Sequence, residues 1–189
     1  MWIHKRIGNT DSLVATCSLA LATLGSVSRT THGCIECVEV SSRRRFGGTS
    51  LRPEGVRVLD VGSGTGFYVD LWHTLNAGHV TGSDLTEVAV DQRRRRYSSD
   101  SFVQFDVGAA HPFRPGEFGV VSMMDVLYHI VDDARFERAF LNAFDVLAPG
   151  GLLIFSENFV RHGAVRIPHQ ASRTIRDIEN AVTTAGFEV

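Results

Sequence analysis

The sequence has no surplus of positive charge, hardly any cysteine and no long apolar run, and each shortage closes off a class of function. Its 19 Lys and Arg stand against 21 Asp and Glu, a formal net charge of -2. No overall positive field is available to gather the phosphates of nucleic acid or an anionic membrane surface, so the expected partner is a small molecule. Three cysteines, Cys17, Cys34 and Cys37, in 189 residues are too few for a disulfide scaffold and point to a reducing, cytoplasmic compartment. Cys34-Ile-Glu-Cys37 has the spacing of half a zinc site. No second Cys or His pair follows at a distance that completes a tetrahedron, and no metal is expected. The stretch 12–27 follows Lys5 and Arg6 and is mildly apolar, but Thr16, Ser18, Thr23 and Ser26 interrupt it. It is too short and too polar to span a membrane, and reads as a lid helix or a poorly ordered start.

What is present is the material of one compact domain: 43% hydrophobic and 21% charged residues over a length that can bury a core. The first fifty residues differ from the rest, because the stretch 41–50, Ser-Ser-Arg-Arg-Arg-Phe-Gly-Gly-Thr-Ser, has no apolar period and reads as a linker. Residues 1–50 are therefore an N-terminal segment and 51–189 the main domain. From there β-branched runs alternate with longer amphipathic stretches. Strands are predicted over 56–61, 79–83, 102–105, 119–124 and 152–155, and helices over 67–77, 86–97, 134–147 and 172–185. Phe136, Phe140, Leu141, Phe144 and Leu147 recur on one face of the third helix and are the expected core. Five parallel strands joined by helical crossovers make an α/β, doubly wound, Rossmann-like sheet with helices on both faces.

The first strand runs into Asp60-Val-Gly-Ser-Gly-Thr-Gly66 and opens into a helix. Glycines at such a turn let the backbone approach a ligand closely at the helix N-terminus. The spacing is Gly-x-Gly-x-Gly; the dinucleotide fingerprint needs a glycine or alanine where Phe67 stands, which argues against a nicotinamide-dependent oxidoreductase. Asp84 closes the second strand, where a carboxylate can accept from both hydroxyls of a ribose, or simply cap the next helix. Asp106 ends the third strand, beside the place an adenine would take if Asp84 held its ribose, or caps a loop. Acids at the carboxyl ends of consecutive strands lie where open α/β sheets bind ligands.

Val58-Leu-Asp-Val-Gly-Ser-Gly-Thr-Gly66, then Gly82-Ser-Asp84, Phe105-Asp106 and Leu147-Ala-Pro-Gly-Gly-Leu-Leu153, resemble the successive motifs of class I S-adenosylmethionine-dependent methyltransferases. The resemblance implies S-adenosylmethionine as cofactor. Gly62, Gly64 and Gly66 would lie under its methionine and ribose, Asp60 would orient its amino-acid end through the turn, Asp84 would bind the ribose and Asp106 the adenine side. The segment Ser122-Met-Met-Asp-Val-Leu-Tyr-His-Ile-Val-Asp132 resembles the family's stretch beside the cofactor, which brings in Met124 and begins the acceptor pocket. His129 is the candidate base for an acceptor that must lose a proton, with a packing role as the alternative. Tyr128 and Asp125 are weaker candidates for acceptor contact, and His162 and His169 lie in a loop, 157–172, that could cover the site.

Two features depart from the family: the closing strands, and the aromatic lid of many small-molecule members, which the first fifty residues lack. Members of the family close the sheet with a sixth strand and an antiparallel seventh, whereas this chain stops at Gly186-Phe-Glu-Val189; the C-terminal antiparallel hairpin is missing, and the sheet edge is left open unless another chain or the N-terminal segment covers it. A C-terminally truncated or divergent methyltransferase domain is the expectation. The Asn-Pro-Pro-Tyr element of many amino-group-methylating nucleic-acid enzymes is also absent where Met124-Asp-Val-Leu stands. Arg93-Arg-Arg-Arg96, with Glu87 and Asp91 one turn back, reads as a solvated helix face. The sequence thus points to methyl transfer onto a small molecule, with a non-catalytic cofactor-binding module as the alternative.

Overall fold

A computed structural model of the protein describes residues 36–42 and 54–188. The stretch 12–27, Cys17, Cys34 and residues 43–50 of the expected linker lie outside the described residues. In chain order the elements are β1 (Glu36–Ser42), β2 (Arg57–Val61), α1 (Phe67–Thr74), β3 (His79–Asp84), α2 (Glu87–Arg96), β4 (Ser101–Gln104), β5 (Phe118–Met123), a short 3-10 turn (Leu127–His129), α3 (Asp133–Val146), β6 (Leu147–Glu157), β7 (Phe159–Val160), β8 (Val165–Ile167), β9 (Gln170–Thr174), α4 (Ile175–Ala185) and β10 (Phe187–Glu188). No helix among the described residues is long and apolar enough to cross a membrane.

Seven strands form the main sheet in the order β10-β1-β6-β5-β2-β3-β4, with β2 to β6 mutually parallel. From β2 the chain winds outward through β3 and β4, then returns to the other side of β2 and winds outward again through β5 and β6. Where the winding reverses, the connections leaving β2 and β5 part to opposite sides and open a crevice at the carboxyl ends of these strands. This is the doubly wound α/β sheet expected from the sequence.

The sheet edge beyond β6 differs from that expectation. β1 runs antiparallel along β6, from Glu36 opposite Glu157 to Ser41 opposite Leu152, and β10 pairs antiparallel with β1, Phe187 opposite Ser42. The antiparallel position beside β6 is filled by the segment before β2, and Ser41 and Ser42, read as linker, belong to that strand. Short, and followed at once by arginines and glycines, this strand gives no extended apolar run to notice. The loop expected over 157–172 is also structured: β7, β9 and β8 form a small three-stranded sheet, and α4 starts only after β9, at a capping box in which Thr174 and Asp177 satisfy each other's backbone N–H groups.

Side chains of the parallel strands alternate between two apolar layers, as the pleat requires. Val58, Val80 and Val120 pack with Val69 and Trp72 of α1 and Val90 of α2. Their neighbours Leu59 and Val121 face the other way, with Met123 and Phe155, onto Phe136, Phe140 and Val146 of α3 and Ile178 and Val182 of α4. Of the apolar residues expected in the core from α3, Leu141 is instead exposed, and Phe144 is half-buried edge-on against Phe187.

Candidate active site

β2 ends at Val61 and the chain turns through three glycines with positive φ: Gly62 (73°), Gly64 (46°) and Gly66 (90°). Gly62 lines an open cavity at the crevice and packs so closely on the chain leaving β5 that a Cβ would lie 2.5 Å from Cγ2 of Val126. Gly66 is crowded from the opposite side, where a Cβ would meet the Tyr97 hydroxyl at 2.6 Å. Ser63 anchors the turn inward: its N–H donates to the Ser83 carbonyl at 2.8 Å, and its hydroxyl lies within reach of the carbonyls of Asp60 and Ser83.

Beneath the turn, the Asp60 carboxylate is fully buried. It accepts a 2.6 Å hydrogen bond from Ser122 on the neighbouring strand, while its Oδ2 has no partner among the described residues. Burial raises its pKa to about 6, against the lowering influence of the hydrogen bonds.

The cavity has a volume of about 690 Å³, within the range of small-molecule and cofactor sites. Five residues expected from the sequence line it together: Gly62, Asp84, Asp106, Asp125 and His129. Asp84 spends one oxygen, Oδ1, on the N–H and hydroxyl of Thr86, the N-cap of α2, and Oδ2 has no partner among the described residues. Asp106 accepts from the Gly108 N–H at 3.0 Å and is paired with the Arg135 guanidinium.

His129 stands at the end of the 3-10 turn, with Nδ1 donating to the His169 carbonyl at 3.4 Å. A carbonyl can only accept, so this contact makes Nδ1 the donor, and in the neutral ring Nε2 is then the nitrogen that carries the lone pair. Asp125 also lines the cavity. It adopts a left-handed φ of 59° and is bonded to the buried Ser156 hydroxyl through both its N–H and its carboxylate. Behind it, burial pushes the Glu157 carboxyl up to about 7 and raises the Tyr128 phenol, with the charges of Asp125 and Glu157 adding to the latter. The buried Arg173 donates to the carbonyl of Ile130 and to Asp133, tying the 130–133 wall of the cavity to β9.

Other predicted residues do not line the cavity: Asp60 lies under the turn, Gly64 is exposed, Gly66 faces α2, Met124 is buried, and Tyr128 and His169 fall outside the lining. His162 is exposed. Sequence reasoning missed Leu85, Val126 and Arg135, all cavity-lining. Val126 falls inside the segment noted for its resemblance, and Leu85 directly follows Asp84. Arg135, one turn into a helix read as core, carries no local signal.

Residues 59–155, just over half of the chain, match the family model described as "Methyltransferase domain". The chain belongs to the class I S-adenosylmethionine-dependent methyltransferases. The ubiquinone biosynthesis O-methyltransferase of Thiobacillus denitrificans is 34% identical over 118 residues, 60% of this chain and 49% of that protein. The enzyme of the same name from Aromatoleum aromaticum is 35% identical over 54% of this chain and 44% of its own length. This methyltransferase chain spans about half the length of the curated relatives it matches. In fold, it is similar to an S-adenosylmethionine-dependent methyltransferase from Mesorhizobium loti, with a TM-score of 0.61, 21% identity, and coverage of 74% of this chain and 77% of that one.

The cofactor of this family is S-adenosylmethionine, and the residues present fit it. An adenosine needs a carboxylate oxygen free to accept from ribose hydroxyls and a backbone approachable without side chains. Asp84 Oδ2 and Gly62 meet those needs on one cavity.

Proposed function

We propose that this methyltransferase moves a methyl group from S-adenosylmethionine to an oxygen of a small-molecule acceptor, with His129 as the base that takes the acceptor proton. The observation that carries this reading is the single cavity shared by Gly62, Asp84, Asp106 and His129. When bound, the cofactor supplies a methyl group on a sulfonium, a good leaving group, so the protein's work is to position and to exclude water. Gly62 lets the turn approach the cofactor, Asp84 Oδ2 accepts from ribose hydroxyls, and Asp106 contacts the adenine side. Gly64 and Gly66 shape the turn, Met124 backs the cavity wall, and Asp60 braces the turn from below through Ser122. Nε2 of His129, the ring nitrogen not engaged by the His169 carbonyl, receives the proton of an acceptor hydroxyl.

The O-methyltransferase names of the two relatives support oxygen as the accepting atom. The near-neutral composition supports a small acceptor in place of nucleic acid or membrane, and the scarcity of cysteine supports a cytoplasmic setting. Residues 51–189 are the methyltransferase domain, and the segment 1–50 contributes one strand, Glu36–Ser42, to its sheet.

The test is transfer of a labelled methyl group into a panel of small hydroxylated acceptors and into cell extract, comparing the wild type with Asp84→Ala. Labelling by the wild type that is lost in the variant supports the reading. A folded wild type that binds S-adenosylhomocysteine but labels nothing favours a non-catalytic module, and unchanged labelling by Asp84→Ala overturns the ribose assignment.

A further inference from the structure

The arginine run on α2 is only in part a solvated face. Arg94 fits that description, bridging Glu87 at 2.8 Å and Asp91 at 3.0 Å, and Arg95 is exposed. Arg93, Arg96 and the C-cap residue Tyr97 turn instead toward the glycine turn. The Thr65 carbonyl accepts from the guanidinium of Arg93 and from Arg96 Nη1 at 3.2 Å. The Tyr97 hydroxyl lies 3.1 Å from the Gly66 carbonyl and 2.7 Å from Asp70 Oδ1, and Arg96 Nη2 bonds the other oxygen of Asp70 at 2.6 Å. The Tyr97 ring is itself fixed, stacked on Phe102 at 5.8 Å between centroids. These contacts occupy the space a Cβ on Gly66 would need, which accounts for a glycine there without any contact to the cofactor.

The turn is therefore tied at both ends to one supersecondary unit. Ser63 holds its inner end to Ser83 on β3, and Arg93, Arg96 and Tyr97 hold its outer end to α2. Asp84 sits at the junction of the same strand and helix. The two arms that line the cavity from this side, Gly62 and Asp84, are thus spaced by these ties.

We propose that Arg93, Arg96 and Tyr97 form a latch that sets cofactor affinity by fixing the spacing between the glycine turn and Asp84. They are positioning residues, and the proposal rests on the reading of Asp84 and the turn as the cofactor site. Loosening the latch costs binding without altering the chemical step.

Titration calorimetry with S-adenosylhomocysteine, together with steady-state methyl transfer, tests it on Tyr97→Phe, Arg96→Gln and the exposed Arg95→Gln. Tyr97→Phe and Arg96→Gln are expected to weaken binding about 5- to 10-fold, the loss of roughly one hydrogen bond. KM for the cofactor rises in parallel, and kcat at saturating cofactor stays within about twofold, a split that a general loss of packing would not give. Arg95→Gln leaves both unchanged. Wild-type affinity in folded Tyr97→Phe and Arg96→Gln overturns the latch alone, and so does a fall in kcat with KM unchanged. Absence of binding by the wild type overturns the cofactor site and the latch together. Should Tyr97→Phe fail to fold, Arg96→Gln, whose partners are exposed, decides the matter.

Discussion

A Cβ on residue 62 would stand 2.5 Å from Cγ2 of Val126, closer than any real side-chain contact allows. The two residues follow β2 and β5, the strands between which the winding of the sheet reverses, so their contact closes the floor of the crevice. Gly62→Ala is expected to act twice. The left-handed φ of 73° costs an L-residue roughly 1–2 kcal/mol, and the clash pushes the 126–132 wall away from the turn. A lowered Tm and a loss of S-adenosylhomocysteine affinity of at least about 10-fold should be seen together in thermal melts and calorimetry. Affinity equal to the wild type would show that this turn does not support the cofactor.

Glu157 gives a pH signature with a definite sign. Burial raises its carboxyl from 4.5 to about 7, so the folded protein holds this proton more tightly than the unfolded chain does. The linkage relation then makes stability fall as pH rises from the unfolded value through the folded one, between about 4.5 and 7, after which the cost of the buried charge is constant. Glu157→Gln cannot ionise. Relative to the wild type it should gain on the order of 3 kcal/mol across that window, read as the difference between two urea-melt series at pH 4.5 and 7.5. Parallel series would place the Glu157 proton elsewhere.

The wall that carries His129 depends on Arg173. Its buried guanidinium bonds the Ile130 carbonyl at 2.8 Å and Asp133 Oδ1 at 2.9 Å, and packs over the Phe136 ring at 3.8 Å. Arg173→Met keeps much of the volume and removes the bonds. It should lower stability by about 2–3 kcal/mol and raise KM for the acceptor while leaving cofactor affinity near the wild type, since no glycine-turn contact is touched. A matching loss of cofactor affinity would mean that the 130–133 wall serves the cofactor half of the cavity instead.

The sheet was legible because its strands announce themselves: Val58-Leu-Asp-Val61 and Gly119-Val-Val-Ser-Met123 are short, nearly continuous buried runs rich in β-branched residues, ended by glycine or by a change of pattern. Gly62, Asp84, Asp106 and His129 could be read because each sits at, or shortly after, the carboxyl end of such a strand, where topology alone makes a ligand site. Residues that act across the fold were not legible in this way. Arg135 meets Asp106, and Arg173 meets Asp133, only once α3 and β9 have packed. Arg96 and Tyr97 reach Asp70 across more than 25 positions of chain, and a run of four arginines looks the same whether it faces water or a backbone carbonyl. β1 escaped notice for a related reason: its register is dictated by β6, more than a hundred residues away in sequence.

The proposed role of His129 as the base separates the chemistry from the binding. The ring's Nδ1 is engaged by the His169 carbonyl, so Nε2 is the nitrogen available as a base, and no cofactor contact is assigned to the ring. His129→Ala should lower kcat about 100-fold or more, the usual contribution of a positioned base, with affinity for S-adenosylhomocysteine unchanged. The loss depends on the acceptor. A phenol acidic enough to be ionised at the assay pH has no proton to give up, and for it the variant should approach the wild-type rate. Comparing kcat for matched phenols of falling pKa therefore tests the role directly. A deficit that is the same for acidic and ordinary phenols would make His129 a packing residue at the mouth of the pocket and leave proton removal to solvent.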